Sequence, residues 1–139
     1  MPDGTIVRAR PVNERDPDDA WRDFGLYCDP RWAPIWPSDL IDWPDFGVPA
    51  DAECAAEQIV AAYERARSGQ HVEIGCIGGL GRTGTVLACM AILAGSEPAN
   101  AVAWVRETYD ARAVETPEQE RWVEWFGGRR GSGRGTRDA

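Results

Sequence analysis

Two residues at a fixed spacing could perform chemistry in this sequence: Cys76 and Arg82, separated by five residues. A cysteine thiolate is a strong nucleophile that forms covalent intermediates with electrophilic substrates. An arginine guanidinium offers a planar pair of donors that matches two oxygens of a phosphate group. The pair therefore predicts a site at which a bound oxyanion meets a nucleophilic sulfur.

The residues between Cys76 and Arg82 form a glycine-rich turn. A short strand is predicted at residues 72–75, before the turn, and a buried apolar helix at residues 83–94, after it. Glycine lets such a turn fold tightly and lets a ligand approach its N–H groups. These N–H groups and the positive end of the helix dipole create an anion site that favours the thiolate form of Cys76. The predicted phosphate-binding residues are Ile77, Gly78, Gly79, Leu80, Gly81 and Arg82.

A longer pattern, Cys-x-x-Gly-x-Gly-Arg-Thr-Gly, contains this pair. It is matched by Cys76, Gly79, Gly81, Arg82, Thr83 and Gly84, and it resembles the signature loop of the cysteine-dependent protein tyrosine phosphatases. A bare Cys-x5-Arg is less specific, because rhodanese-like and arsenate-reductase proteins carry similar loops. The alternative is a glycine turn around a buried structural cysteine. The resemblance implies that Cys76 is the nucleophile, that Arg82 holds the phosphate and that Thr83 stabilises the departing thiolate.

A second stretch, residues 43–49, has the sequence Trp-Pro-Asp-Phe-Gly-Val-Pro. It resembles the Trp-Pro-Asp loop of the same family, which closes over bound substrate and carries the general acid. The resemblance implies this role for Asp45, because a phenolate leaves poorly unless it is protonated. Gly47 is a candidate hinge. The alternatives are an ordinary turn with an exposed aspartate, and Asp42 as a rival carboxylate.

A third stretch lies at residues 115–119. Thr116 and Gln119 have the spacing of a helix capping box, with Pro117 at the first helical position, and this alone explains the stretch. It also resembles the phosphatase loop Gln-Thr-x-x-Gln, whose glutamines hold the water for the second chemical step. Gln119 matches the second glutamine, and Glu115 replaces the first. The added charge could slow the reaction or assist water activation.

Two more features depart from the family. Gly75 stands where the family has a histidine that favours the thiolate, and no segment resembles the Lys-Asn-Arg-Tyr motif that clamps a phenol ring. A phosphate-binding pseudophosphatase or adaptor is therefore the alternative to an enzyme, and strict tyrosine specificity stays open. A phosphoinositide phosphatase is a third interpretation, which the uncharged loop residues disfavour because such enzymes usually place lysines there.

The elements that must position these residues follow from periodicity. Strands are predicted at residues 5–12, 24–27, 40–43 and 72–75, and helices at 51–67, 83–94, 99–109 and from 117 onwards. Asp51 and Ser96 are candidate helix caps. The helix 51–67 connects residues 43–49, called the acid loop below, to the central strand 72–75. This order of strand, helix and strand predicts that the strands 40–43 and 72–75 are parallel. Residues 13–19 are predicted to be a loop, and Trp32, Trp36 and Trp43 to pack in the core or a lid rather than to form a peptide-binding surface.

Composition limits the class of protein. The 139 residues carry a net charge of −8 and are 43% hydrophobic, which predicts one globular domain and argues against nucleic acid and anionic lipid as main partners. No uncharged apolar run predicts a membrane span, and no signal-peptide layout is present, so a cytoplasmic protein is expected. The cysteine spacings and a single histidine predict no metal site. Cys28, Cys54 and Cys89 are predicted to be core thiols.

These patterns predict an α/β fold: a single compact phosphatase domain with a central, mostly parallel sheet flanked by helices, and the signature loop between a strand and a buried helix. The domain is predicted to span residues 1–126, and the Gly/Arg-rich residues 127–139 to be a disordered tail. The expected substrates are phosphorylated proteins or small phosphomonoesters. The expected reaction is hydrolysis of phosphotyrosine, and optionally of phosphoserine or phosphothreonine, through a cysteinyl-phosphate and without a cofactor.

Overall fold

The structure, a computed structural model, describes residues 1–11, 21–29, 34, 36–77 and 80–138, and gives side chains as far as Arg129. These residues form four strands and four helices. In chain order they are β1 (Arg8–Pro11), β2 (Phe24–Tyr27), β3 (Ser38–Leu40), α1 (Ala52–Arg67), β4 (Val72–Cys76), α2 (Gly81–Leu93), α3 (Pro98–Thr108) and α4 (Pro117–Asp138).

The four strands form one parallel sheet in the order β1-β4-β2-β3. The α/β fold with a mostly parallel sheet is therefore confirmed. β3 and β4, which α1 connects, are parallel but are not neighbours, because β2 lies between them. The carboxyl ends of β2, β3 and β4 meet at one edge of the sheet, which is where sites form in open α/β folds.

Two helices pack against the sheet for reasons visible in their sequences. α1 begins at Asp51, whose Oδ1 accepts a hydrogen bond from the Cys54 amide at 3.0 Å, and its apolar face is buried at Ala55, Ile59 and Tyr63. α2 is buried from Gly81 to Ile92, because it lies among α1, α3, α4 and β4. A helix that is apolar on most faces must be covered on most faces.

Several boundaries differ from the predictions. β1 is shorter than residues 5–12, and β3 ends at Leu40 instead of beginning there. In the segment after β3, the Trp43 carbonyl accepts a hydrogen bond from Arg82 instead of from a neighbouring strand. α2 starts at Gly81, two residues early. Glu97 and not Ser96 is the N-cap of α3, since Pro98 takes the first helical position.

The carboxyl-terminal segment also differs from its prediction. The backbone of α4 stays helical as far as Asp138, through residues for which composition predicts disorder. Its first turns are anchored by Trp122, Val123 and Phe126, which are buried. A division of the chain at residue 126 stays a prediction.

The cysteines and tryptophans have mixed outcomes. Cys28 and Cys89 are buried, whereas Cys54 is exposed, so the prediction of a core thiol is wrong for Cys54, which lies on the outer face of α1. Trp43 is buried in the core as expected. Trp32 and residues 13–19 lie outside the described residues. Within the described ranges, no helix has the length and apolar character needed to cross a membrane.

A buried charge cluster fixes β4 within the sheet. Glu73 is fully buried, and its Oε2 accepts hydrogen bonds from Arg10 Nε and Arg22 Nη2, both at 3.0 Å. Its Oε1 accepts a hydrogen bond from the Tyr27 hydroxyl at 2.7 Å. Burial, and then the bond to Glu73, raise the pKa of Tyr27 above its usual value. These contacts join β1, β2 and β4 three residues before Cys76.

We predict that Glu73→Gln lowers the free energy of unfolding by about 3–5 kcal/mol, because it removes one partner from a buried ionic cluster. Denaturant unfolding measures the change. Glu64→Gln is the control. Glu64 forms an ion pair with Arg67 in which the arginine side chain is 52% exposed and the glutamate side chain 62% exposed, and exposed pairs contribute about 0–1 kcal/mol. Similar losses in both variants would contradict the prediction.

Candidate active site

Cys76 is the last residue of β4 and lies at the carboxyl edge of the sheet. It is buried, and the Thr83 hydroxyl donates a hydrogen bond to its Sγ at 3.0 Å. A donor directed at sulfur stabilises the thiolate more than the thiol, because hydrogen bonds to ionised acceptors are stronger. The structure therefore brings together the predicted nucleophile and the residue predicted to stabilise it.

The amino terminus of α2 faces the same place. Leu80 is its N-cap, and no side chain among the described residues caps the first turn. The first N–H groups of the helix are thus available to a ligand, and the helix dipole adds partial positive charge. Ile77 is 41% exposed at the start of the turn, whereas Gly78 and Gly79 lie outside the described residues. The described part of the loop has the properties of an anion site.

Arg82 is held from three sides. Its Nη1 donates to the carbonyls of Cys28 at 3.0 Å and Trp43 at 2.9 Å, and its Nη2 donates to the Ile77 carbonyl at 3.3 Å. The residue is 3% exposed, and its Nε finds no hydrogen-bond acceptor among the described residues. The guanidinium is therefore oriented by the backbone and keeps a buried donor that an oxyanion can use.

The acid loop places Asp45 opposite this guanidinium. Asp45 Oδ1 lies 3.6 Å from Arg82 Nε, and the Asp45 side chain is 56% exposed. The same oxygen accepts from the Phe46 amide at 3.0 Å, and Phe46 has a φ of 62°, which is unusual for a non-glycine residue. Asp45 thus has access to solvent and to the anion site together.

Asp45 and Arg82 line the same cleft, which has a volume of about 210 Å³. Its other walls include Asp42, so the rival carboxylate also lines the cleft. The described residues that line it are Asp29, Asp42, Trp43, Pro44, Asp45, Ile77 and Arg82.

Gln119 connects the third motif to the acid loop. It is fully buried, its Oε1 accepts from the Glu115 amide at 2.8 Å, and its Nε2 donates to the Gly47 carbonyl at 3.1 Å. The Thr116 hydroxyl oxygen accepts from the Gln119 amide at 3.2 Å. Only half of the predicted capping box forms. The Gln119 side chain does not bond to the amide of Thr116, the cap residue, but to the amide of Glu115 and to the Gly47 carbonyl.

Glu115 lies against the first residue of α2. Its carboxylate packs so closely on Gly81 that a side chain at Gly81 would overlap it. The carboxylate remains exposed. A negative charge beside a helix amino terminus is stabilised by the dipole, and it also competes with any anion bound at the same end.

Sequence reasoning missed several contributors to this site. The carbonyls of Cys28 and Trp43 orient Arg82. Burial first, and the nearby Cys76 second, raise the pKa of the Cys28 thiol well above its usual range. The same causes raise the pKa of Tyr109 to about 12, so this tyrosine also lies near the nucleophile. Cys28 directly follows the carboxyl end of a parallel strand. Sites in open α/β sheets form at such ends, so this position in the sequence could have indicated that Cys28 contributes to the site.

A buried sulfur nucleophile, an oriented guanidinium and an accessible carboxylic acid meet at one end of a parallel sheet. This fold and site define the class of the cysteine-dependent phosphatases. A family model described as the DSP-PTPase phosphatase domain of Swiss Army Knife proteins (PTP-SAK) matches residues 44–122. The chain belongs to this phosphatase family.

Relatives and solved structures agree with this assignment. The uncharacterized protein MJECL20 of Methanocaldococcus jannaschii is 38% identical over 109 residues, which cover 70% of this chain and 71% of that protein. The human tyrosine-protein phosphatase non-receptor type 4 is 31% identical over 96 residues, which cover 65% of this chain and only 10% of that protein.

Among solved structures, Tk-PTP in its active form has a TM-score of 0.69 and 28% identity, and covers 79% of this chain and 81% of that chain. Kinase associated phosphatase has a TM-score of 0.67 at 16% identity, with 90% and 84% coverage, and supports the fold alone.

We predict that Glu115→Gln strengthens binding of inorganic phosphate or vanadate about two- to fivefold, because a charge near an exposed helix amino terminus contributes about 0.3–1 kcal/mol. Calorimetry in a Cys76→Ser background measures the binding constant without turnover. Glu118→Gln is the matched control, as Glu118 is exposed in the first turn of α4. Weaker binding in Glu115→Gln would show that Glu115 assists the anion site.

Proposed function

We propose that this protein is a protein phosphatase that hydrolyses phosphotyrosine, with phosphoserine and phosphothreonine as further candidate substrates, through a cysteinyl-phosphate. One observation carries the proposal: Arg82, oriented by three carbonyls, stands between the Cys76 loop and the Asp45 carboxyl. A guanidinium held in this way is ready for phosphate before the substrate arrives, and pre-organised charge is a main source of catalytic power.

In the first step the Cys76 thiolate attacks phosphorus in line with the leaving oxygen. Arg82 Nε and the N–H groups at the start of α2 hold the equatorial oxygens as the P–O bond breaks. Asp45 transfers its proton to the leaving oxygen, and a cysteinyl-phosphate forms. Arg82 and the backbone supply the positive field, so we propose that added divalent metal is not required.

In the second step water attacks the phosphorus of the cysteinyl-phosphate. Asp45, now ionised, accepts a proton from the water, and the P–S bond breaks. The Thr83 hydroxyl, 3.0 Å from Sγ, stabilises the thiolate that leaves. The family resemblance assigns the orientation of this water to Gln119.

A phosphate-binding pseudophosphatase or adaptor is the second candidate. The observation that favours it is the Glu115 carboxylate, which lies against Gly81 at the anion site. Gly75, in place of the family's histidine, removes a further source of thiolate stabilisation. Such a protein would bind the phosphorylated ligand through Arg82 and release it unchanged.

Hydrolysis of p-nitrophenyl phosphate by purified protein decides between the two candidates. We predict turnover by the wild-type protein and none by Cys76→Ser, because a serine hydroxyl is a far weaker nucleophile at neutral pH. Cys76→Ser should still bind vanadate, since Arg82 and the helix amino terminus are intact. Turnover by Cys76→Ser would remove the covalent mechanism, and binding without turnover by the wild type would establish the adaptor.

We predict that Asp45→Asn lowers kcat by about 10²–10⁴-fold, the range of a positioned proton donor. The loss should be larger for phenyl phosphate than for p-nitrophenyl phosphate, because the more basic phenolate depends more on protonation. Asp42→Asn is the control, since Asp42 lines the same cleft. Equal losses with both esters in Asp45→Asn, or a greater leaving-group dependence in Asp42→Asn, would move the general acid to another residue.

A further inference from the structure

We propose, building on the function proposed above, that Gln119 is a positioning residue that holds the acid loop over the cleft and so acts on the first chemical step. The family resemblance places this glutamine in the second step, as a residue that orients water. The hydrogen bonds of its amide point to a different partner, the backbone of the acid loop itself.

The Gly47 carbonyl receives two side-chain donors. Trp43 Nε1 donates to it at 2.7 Å from within the loop, and Gln119 Nε2 donates to it at 3.1 Å from α4, 72 residues away in sequence. Both donors belong to buried side chains. Gly47 lies two residues after Asp45, so fixing this carbonyl fixes the turn that presents the carboxyl group.

The acid loop is therefore attached at both ends. Arg82 binds the Trp43 carbonyl at 2.9 Å before Asp45, and Gln119 binds the Gly47 carbonyl after it. Phe46, between them, has a φ of 62° and a side chain that is 59% exposed. Because a non-glycine residue is disfavoured in this conformation, the turn needs contacts outside itself to persist. The bond to Gln119 is the long-range contact on the Gly47 side.

The Gln119 amide has little capacity left for water in this position of the loop. Its Oε1 accepts from the Glu115 amide and its Nε2 donates to Gly47, while the residue has no solvent-exposed surface. An amide satisfied at both ends in a buried place is a rigid link. Loss of the link leaves the Gly47 carbonyl with one donor fewer and frees the loop to move.

Positioning of the acid loop and orientation of water, the two roles considered for Gln119, predict different kinetics. kcat/KM includes only the steps up to formation of the cysteinyl-phosphate, in which Asp45 donates its proton. A residue that positions Asp45 must therefore affect kcat/KM, most strongly for esters with basic leaving groups. A residue that only orients the water of the second step would leave kcat/KM unchanged and lower kcat, with a burst of released phenol.

The decisive variant is Gln119→Glu. The new carboxylate can still accept from the Glu115 amide, but it cannot donate to the Gly47 carbonyl while ionised. We expect kcat/KM for phenyl phosphate to fall about 10- to 100-fold, as for a misplaced catalytic group, with a smaller fall for p-nitrophenyl phosphate. Burial raises the pKa of a carboxyl at this position above its usual value of about 4.3. Lowering the pH from about 8 to about 5 therefore protonates it and restores its donor, so activity relative to wild type should rise.

Gln58→Glu is the matched control. Gln58 Nε2 also donates to a backbone carbonyl ahead of the acid loop, that of Leu40 at 3.2 Å, in an exposed setting. It has no contact with the cleft among the described residues, so kcat/KM should stay near the wild-type value at every pH. The comparison separates the Gly47 link from a general effect of adding a carboxylate.

Hydrogen exchange of the peptide that covers residues 43–49 tests the link without turnover. We expect faster exchange in Gln119→Glu than in wild type or Gln58→Glu. Unchanged exchange, or an unchanged kcat/KM with a large burst, would overturn the positioning role. If the wild type hydrolyses neither ester, the proposed function fails, while the exchange result still supports or refutes the link.

Discussion

The hydrogen bonds from the Arg82 guanidinium to backbone carbonyls are the constraint on which the rest of the site depends. Cys28 follows β2, Trp43 begins the acid loop and Ile77 follows Cys76 in the signature loop, and Arg82 binds the carbonyl of each. Burying a guanidinium is costly, and hydrogen bonds to its donors offset that cost. Three segments must therefore adopt one arrangement around it, and the donor that remains, Nε, faces Asp45.

This constraint explains how a small domain positions its chemistry. The predicted nucleophile, Cys76, lies on β4, which the buried Glu73 cluster holds in the sheet, while the predicted acid, Asp45, lies on a loop without regular structure. In the proposed mechanism the first half binds phosphate and the second half delivers a proton. The two halves are joined by the Arg82–Trp43 and Gln119–Gly47 hydrogen bonds. The placement of Asp45 over the cleft therefore depends on a few long-range hydrogen bonds to its loop. Loops that close over active sites are commonly controlled through such contacts.

Charge near the anion site is balanced closely. Arg82 and the start of α2 attract an anion, whereas Glu115 adds a negative charge beside Gly81. The Thr83 hydroxyl supplies the direct contact to Cys76 sulfur, in a loop that lacks the family's preceding histidine. Because one fold can serve both functions, the fold does not distinguish a phosphatase from a phosphate-binding adaptor.

The sequence by itself determined the local features of this protein. The spacing from Cys76 to Arg82, the strand before it and the buried helix after it are encoded within about twenty residues, where glycine placement and periodicity act directly. The parallel α/β sheet also followed from the order of strands and helices, and the family from the signature motifs. Asp45 was indicated by its loop motif, and the structure places it 3.6 Å from Arg82.

The tertiary structure decided what depends on contacts between distant segments. The insertion of β2 between β3 and β4, the exposure of Cys54 and the continuation of α4 could not be read from local patterns. The acceptors of Arg82 and of Gln119 are backbone carbonyls. Every residue carries such a carbonyl, so no side-chain identity marks the ones that matter. Only the folded chain, by bringing them within hydrogen-bonding distance, selects them.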